Sequence, residues 1–350
     1  MKTDTISAGQ AVSLLLVSRL ATVATFSPAP ANQTEVWSTV AYGITWCLLL
    51  IPGYLLARVC ETDLLRWTCR RHPLLGKTVS MLFGAFCLYV VSINASQFIY
   101  FVREALSPDM AATALCIALI TAAFWAALYG VEALARAAVP IAALMVVGVV
   151  AVSVLLAGDM RFGYVAQTLT AKWEQQGWWY DTVRSTESVV AGFLLAHVKR
   201  PRVVSSVVTP TLAVTGGTLL IRLTVIGALG EFSLRCFYPY HVAVTAIGAG
   251  GVSRLDAVFV SVWIAALFVK TALFAWAFIQ STETLFSPSC RRAVIPACGL
   301  LTAVVGIVLS GQPHTAHGGW IAIVSAVGIG LFAAVLPLSV WLVIRRRKRV

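Results

Sequence analysis

Four ionisable residues, Arg19, Glu187, Arg222 and Lys270, stand inside stretches otherwise apolar for about 20 residues, the length that crosses a hydrocarbon layer in helix. A charge at such depth is costly, so these side chains must meet one another, a ligand or an ion path. At ~1.5 Å per residue, Arg19 lies about 10 Å and Arg222 about 12 Å from the nearer end of its stretch, while Glu187 and Lys270 sit near the middle. A Lys or Arg stem recovers only ~6 to 7 Å by reaching toward the interface, which relieves Arg19 and Arg222 in part and Lys270 hardly at all. On one reading Glu187 pairs with one of these cations and holds the bundle together. Three cations against one carboxylate leave positive charge in excess, so a ligand carboxylate fits the vacancy. A third reading has Lys270 exchanging its proton, which suits proton coupling.

Hydroxyl and amide groups crowd the same stretches. Thr182, Ser185, Thr186, Ser188 and Gly192 surround Glu187, a polar density that a lipid-facing helix does not carry. Ser and Thr hydroxyls bond carbonyls freed where a membrane helix unwinds; the plainer alternative is a bond back to their own helix. The first stretch adds Ser18, Ala21 and Thr22, and the third adds Ser92, Asn94, Ser96 and Gln97. Asn94 and Gln97 are three apart and share a helix face, although helix-to-helix bonding without any ligand is the simpler account of Asn94. The candidate ligand-binding set is therefore Ser18, Arg19, Ala21, Thr22, Ser92, Asn94, Ser96, Ser185, Thr186, Glu187 and Ser188, and the candidate ion-coupling set is Glu187, Arg222 and Lys270.

Catalysis finds little support. His314 and His317 lack a third ligand within reach, and there is no HExxH, phosphate loop or GxSxG. Eight cysteines lie mostly in or beside apolar stretches with no CxxC spacing, so neither a disulfide framework nor a zinc site is indicated. Neither an enzyme nor a cofactor-bearing protein is expected.

The elements that must position these groups are membrane helices. Hydrophobic residues make up 59% of the chain and charged residues 11%, with a mean hydropathy of +0.87; a soluble domain carries about a quarter charged residues. Ten spans are expected, at about 6–26, 35–58, 77–102, 109–129, 132–156, 178–198, 203–230, 254–282, 293–311 and 318–344, with the sixth short and polar. The formal charge of +12 is parcelled into short loops, which favours anionic lipid over nucleic acid as its partner. With both termini in the cytoplasm, seventeen Lys and Arg residues fall inside, among them Arg58, Arg66, Arg70, Arg71, Lys199, Arg291, Arg292 and the tail from Arg345 to Arg349. Six fall outside, Arg103, Arg161, Lys172, Arg184, Arg235 and Arg254, and an odd span count would destroy this asymmetry.

Two outer segments exceed simple connectors. The stretch from Asp159 to Asp181 carries Trp173, Trp178, Trp179 and Tyr180, rings that favour the headgroup level, and is expected to lie on the membrane surface. The stretch from Glu231 to Ser253 has Pro239, Gly248, Gly250 and Gly251 around His241 to Ile247, read as a surface or re-entrant helix over the outer face. The chain forms a single membrane domain, with five spans in about 6–156 and five in about 178–344. An odd number per half makes the second half enter from the opposite side, the arrangement of inverted-repeat transporters.

A set of short sequences gives this pattern a family. Ile6-Ser7 with Gly9-Gln10, Gly76-Lys77, Tyr129-Gly130-Val131-Glu132 with Ala135-Arg136, Phe237-Tyr238-Pro239, and Arg254-Leu255-Asp256-Ala257 with Trp263 and Lys270 together resemble the spore germination permeases, the membrane B subunits of nutrient germinant receptors. The resemblance runs through the eighth span. Ser253 stands where the family commonly has an acidic residue. The resemblance implies the amino acid, polyamine and organocation superfamily: an all-α polytopic fold of ten helices in a leucine-transporter-like 5+5 inverted repeat, with helices 1 and 6 broken around a ligand site near Ser18 to Thr22. It also implies a cation site between spans one and eight, where a fixed ammonium could stand in for a metal ion. An A-type membrane subunit and a C-type lipoprotein subunit would be partners, and the spore inner membrane the location. The expected function is a nutrient-binding subunit, the nutrient being of amino acid type, that signals to those subunits. The alternatives are an autonomous proton-coupled amino acid transporter and a structural or pore-forming subunit without its own ligand.

Overall fold

The computed structural model describes residues 5–24, 35–60, 63–106, 109, 111–170, 175–248, 255–311 and 319–347. Lys2, Lys172, Trp173, Gly250, Gly251, Ser253, Arg254, His314, His317, Lys348 and Arg349 of the sequence reading lie outside them. The described chain is helical: α1 (Ala8–Val23), α2 (Glu35–Val59), α3 (Leu64–Arg71), α4 (Pro73–Phe101), α5 (Ala112–Leu128), α6 (Val131–Leu156), α7 (Phe162–Thr170), α8 (Gln175–Val183), α9 (Glu187–Leu195), α10 (Thr209–Leu229), α11 (Pro239–Gly248), α12 (Leu255–Leu285), α13 (Pro288–Ser310), α14 (Trp320–Ile329) and α15 (Leu336–Arg347). Wider π turns extend α4 through Val102–Leu106, lead into α10 at Val204–Val208 and join α14 to α15 at Gly330–Val335. Among the described residues, seven helices are long and apolar enough to cross a membrane; Ala8–Val23 and Ala112–Leu128 are apolar but shorter. Exposed apolar side chains such as Val147, Val154, Leu300 and Val308 cover the outer faces of α6 and α13, as contact with lipid requires.

The sixth expected span is divided. α8 stops at Val183, Arg184 to Thr186 leave the helix, and α9 starts at Glu187. Span one differs from expectation. α1 runs unbroken through Ala8–Val23, so no break falls among Ser18, Arg19, Ala21 and Thr22. Its sixteen residues reach ~24 Å, short of a ~30 Å hydrocarbon layer.

Several of the short sequences find local physical reasons. Ser7 Oγ accepts from Gln10 N at 3.2 Å and Gln10 Oε1 accepts from Ser7 N at 2.8 Å, a reciprocal cap that starts α1. The preceding Ile6 is buried and pairs with the chain leaving α9: its N–H donates to the His197 carbonyl at 3.0 Å and its carbonyl accepts from Lys199 N at 3.0 Å. α1 and α9 are thereby tied at one end. Gly130 adopts φ 87° and ψ 171°, a conformation open almost only to glycine, which lets α6 follow α5 after a single tight turn; Glu132 and Arg136 then pair at 2.6 Å along α6.

The stretch from Asp159 to Asp181 corrects the sequence reading. Its last part is α8, which packs on α2: Trp178 Nε1 donates to Thr45 Oγ1 at 2.8 Å, and Asp181 is buried. Of the rings that suggested a headgroup belt, Trp178 bonds Thr45 and Tyr180 lies under the Arg184 guanidinium, while Trp179 is exposed. α11 covers one end of the bundle as expected, burying Tyr240, Ala243 and Val244 against α10 and α12. α12 runs through the centre, packed on α1, α4, α5 and α6, with Trp263, Phe274 and Trp276 fully enclosed.

Where α2 crosses α9, a Cβ on Gly53 would come within 2.5 Å of Gly192 Cα, so this contact tolerates no side chain. Replacing Gly53 with Val should therefore push α9 away and lower the thermal stability of the purified protein by about 1–3 kcal/mol. Gly148→Ala, at a position with open space around it, should leave the melting curve unchanged. Equal melting of both variants would disprove the close contact.

Candidate functional site

The break in the sixth span assembles the deep charges. Asp181 on α8 receives Arg222 of α10 through two parallel bonds, Nη1 to Oδ2 and Nη2 to Oδ1, both at 2.7 Å. Arg19 of α1 joins from the other side, with Nη2 3.4 Å from Asp181 Oδ1 and Nη1 3.7 Å from Glu187 Oε1. Arg222 Nη1 also donates to Thr39 Oγ1 at 2.6 Å, and the Arg19 guanidinium lies over the Tyr42 ring, 4.3 Å from its centre, a favourable placement for a buried cation. α1, α2, α8, α9 and α10 thus converge on two carboxylates and two guanidinia. Arg19 is 1% exposed, Glu187 0% and Arg222 6%, so neither arginine reaches toward an interface.

This corrects the charge count made from sequence. Asp181 is the carboxylate that reading missed, because it was assigned to a surface segment. Its signal was present in the sequence as an acidic residue followed by Arg184 and Glu187 at the start of a polar span. Within the cluster opposite charges balance. Glu187 itself has no hydrogen-bond donor on either carboxylate oxygen, and Ser18 Oγ and Tyr42 Oη are likewise buried without a partner among the described residues.

Hydroxyls hold the non-helical turn. Ser185 Oγ donates to the Thr182 carbonyl at 2.7 Å, Ser188 Oγ to the Ser185 carbonyl at 2.7 Å, and Thr182 Oγ1 to the Trp178 carbonyl at 2.8 Å. Two of these carbonyls also accept backbone bonds, Thr182 from Ser185 N at 3.1 Å and Ser185 from Ser188 N at 3.0 Å, so the hydroxyls add second bonds to a turn that its own backbone already closes. Ser92 takes the plain course, donating to the Leu88 carbonyl of its own helix at 3.0 Å.

Beside the turn lies a cavity of about 260 Å³ whose walls come from α1 (Thr22), α4 (Tyr89, Asn94, Ser96, Gln97), α8 and the turn (Tyr180, Val183, Arg184, Thr186), α12 (Lys270) and α14 (Ile321, Ser325), with Phe237 also in its wall. Tyr89 Oη donates to the Ile321 carbonyl at 3.0 Å, joining two of these walls. Asn94 and Gln97 both line it, and Asn94 Nδ2 and Ser96 Oγ are buried without a partner. Lys270, 3% exposed, donates from Nζ to Thr22 Oγ1 at 2.6 Å. Trp263, two turns earlier on α12, donates from Nε1 to the Ala21 carbonyl at 2.8 Å. α12 therefore grips the last turn of α1 twice. Arg184, counted from sequence as an outer-loop cation, is in the cavity wall, its guanidinium 3.9 Å from the centre of the Tyr180 ring.

The candidate residues thus divide. Thr22, Asn94, Ser96, Thr186 and Lys270 line the cavity; Arg19, Glu187 and Arg222 form the ionic cluster behind it; Ser185 and Ser188 stitch the turn; Ser18, Ala21 and Ser92 contribute to helix packing. Tyr180, Arg184 and Gln97 join the lining from outside the candidate list. Among the described residues no group of three or more His, Cys, Asp and Glu side chains is placed to hold a metal.

Residues 5–315 match the family described as spore germination protein, the spore permeases. No curated protein matches the sequence. Among solved structures, a nucleobase-cation-symport-1 family transporter, in a closed conformation with bromovinylhydantoin bound, is similar with a TM-score of 0.66 at 13% identity, over 99% of this chain and 80% of that one. A Na+-coupled sialic acid symporter in a substrate-bound outward-open state is similar with a TM-score of 0.52 at 13% identity, over 95% of this chain and 81% of that one. The likeness is one of fold: an all-α, multi-spanning membrane architecture resembling the 5+5 inverted-repeat transporters.

Asp181→Asn should destabilise the protein by about 3–5 kcal/mol, because it leaves Arg222 and Arg19 buried without their carboxylate. Pairing it with Arg222→Leu should recover part of that loss in a thermal double-mutant cycle. Strict additivity of the two changes would show that the pair is not coupled.

Proposed function

Since this chain belongs to the spore germination protein family, we propose that it is a permease that takes a small nutrient bearing a carboxylate, an amino acid being the leading case, into the cavity between α4, α8, α12 and α14. The single observation that carries this reading is Lys270. Its ammonium and the Arg184 guanidinium share the cavity wall, which has no carboxylate among its described residues, and Asn94 Nδ2 waits there without an acceptor. A ligand carboxylate supplies the missing acceptor, while Asn94, Ser96, Gln97 and Thr186 are placed to read the rest of the solute.

Coupling follows from the same residue. The Lys270 ammonium joins α12 to α1 through Thr22, the place between spans eight and one where a fixed positive charge substitutes for a bound cation. Transport is then independent of Na+, unlike that of the symporter named above, and a proton leaving or joining Lys270 makes or breaks the tether. Glu187, buried in the neighbouring cluster 3.7 Å from Arg19, is the second ion-coupling residue in this reading. Ten helices with both termini on the cytoplasmic side, and the break in the sixth as the moving element, complete it.

Family membership favours a second reading, in which the same cavity senses the nutrient and passes the change to an A-type membrane subunit and a C-type lipoprotein in the spore inner membrane. Uptake separates the two. Vesicles holding this chain alone, loaded at alkaline pH and diluted into acidic buffer, should accumulate labelled amino acids equally in Na+ and K+ salts. Lys270→Gln should abolish uptake. Binding without accumulation would leave the sensing role; strict Na+ dependence, or unchanged uptake by Lys270→Gln, would overturn the coupling assignment.

A further inference from the structure

Away from the cavity, α3, the last turn of α12 and the start of α13 enclose an open groove of about 420 Å³, lined by Arg66, Cys69, Arg70, Glu283, Thr284 and Arg291. Its carboxylates are occupied. Glu283 Oε2 accepts from Arg66 Nη2 at 2.6 Å and Oε1 from Arg291 Nη2 at 3.1 Å, and Asp63 Oδ2 lies 3.3 Å from Arg66 Nε. Among the described residues, two acids against three arginines leave one positive charge over. Arg70 is exposed and has no acidic partner among the described residues. Arg291 Nε is buried with no acceptor.

The helix ends add to this. α13 begins at Pro288 with Ser287 making no side-chain cap, and Arg291 and Arg292 follow in its first turn, cations at the end of the helix that itself favours an anion. Glu283 is the negative charge at this end, and it is shared between Arg291 and Arg66. α3 is amphipathic, with Leu64, Leu65 and Thr68 buried against the protein and Arg70 directed outward.

We propose that this groove binds a phosphate ester, in which Arg70 and Arg291 hold the phosphate oxygens while Arg66 and Glu283 fix the groove's shape. Planar guanidinia match phosphate through paired bonds, and basic pockets between membrane helices hold anionic lipid headgroups. The source is a phospholipid or a soluble phosphate compound, and the chemistry is the same for both. The site is independent of the nutrient cavity, so its fate and that of the transport reading are decided separately.

The test uses the full-length chain in neutral detergent. Phosphatidylglycerol should raise its melting temperature by several degrees over phosphatidylcholine, and Arg70→Gln should lose most of that shift while melting like the unaltered protein in phosphatidylcholine. Native mass spectrometry should find a retained phosphatidylglycerol on the unaltered protein and none on the variant. A shift produced by inorganic phosphate but not by chloride at matched ionic strength would assign the groove to soluble phosphates; a shift confined to the lipid would assign it to the bilayer. Equal shifts and equal lipid retention in both proteins, or the same shift from chloride, would overturn the proposal.

Discussion

A carboxylate shared by two guanidinia holds the centre of this protein together. Asp181 accepts two bonds from Arg222 and a longer one from Arg19, and each of those residues lies on a different helix. Removing charge from water carries a penalty of several kcal/mol per ion, offset only when partners are close and well oriented. α8 is therefore held to α1 and α10 by electrostatics, not by apolar packing, which lipid on the outside of the bundle does not drive. The Gly53–Gly192 contact lets α9 approach α2 closely enough for Glu187 to enter the same cluster.

From that anchoring the break in the sixth span becomes tolerable. Non-helical backbone at membrane depth must find partners inside the protein, and here the turn's own N–H groups supply them, from Ser185 to the Thr182 carbonyl and from Ser188 to the Ser185 carbonyl, with the serine hydroxyls adding second bonds to the same oxygens. The hydroxyls are not spare polar groups awaiting a ligand. Beside them the Thr186 and Arg184 side chains face the cavity. On the opposite wall α12 reaches α1 through Trp263 and Lys270, so the cavity lies between one element fixed by ions and another fixed by two hydrogen bonds.

Membrane class, approximate spans and the depth of Arg19, Glu187, Arg222 and Lys270 were legible in the sequence because apolar length and the cost of buried charge act locally along the chain. The turn of the sixth span was legible too, from its density of Ser and Thr. Asp181 was not. Four aromatic residues in one segment suit a membrane surface as well as a helix packed on α2, and only the neighbours Thr45 and Arg222, far away in sequence, separate the two cases. Arg184 was misplaced for the same reason, and Ser92 was included because a hydroxyl on a polar face cannot be distinguished from one bonded to its own helix.

Periodicity, hydropathy and charge, read along the chain, establish that this is a helical membrane protein with ionisable groups at depth, and the short sequences around Ser7, Gly130 and Lys270 carry its family. Which charges pair, where the cavity lies and which helix grips α1 depend on contacts such as Arg19 with Asp181, 162 positions apart, and Lys270 with Thr22, 248 apart. Side-chain chemistry sets what each group needs in the absence of water; the packing of distant helices selects the partner that meets the need.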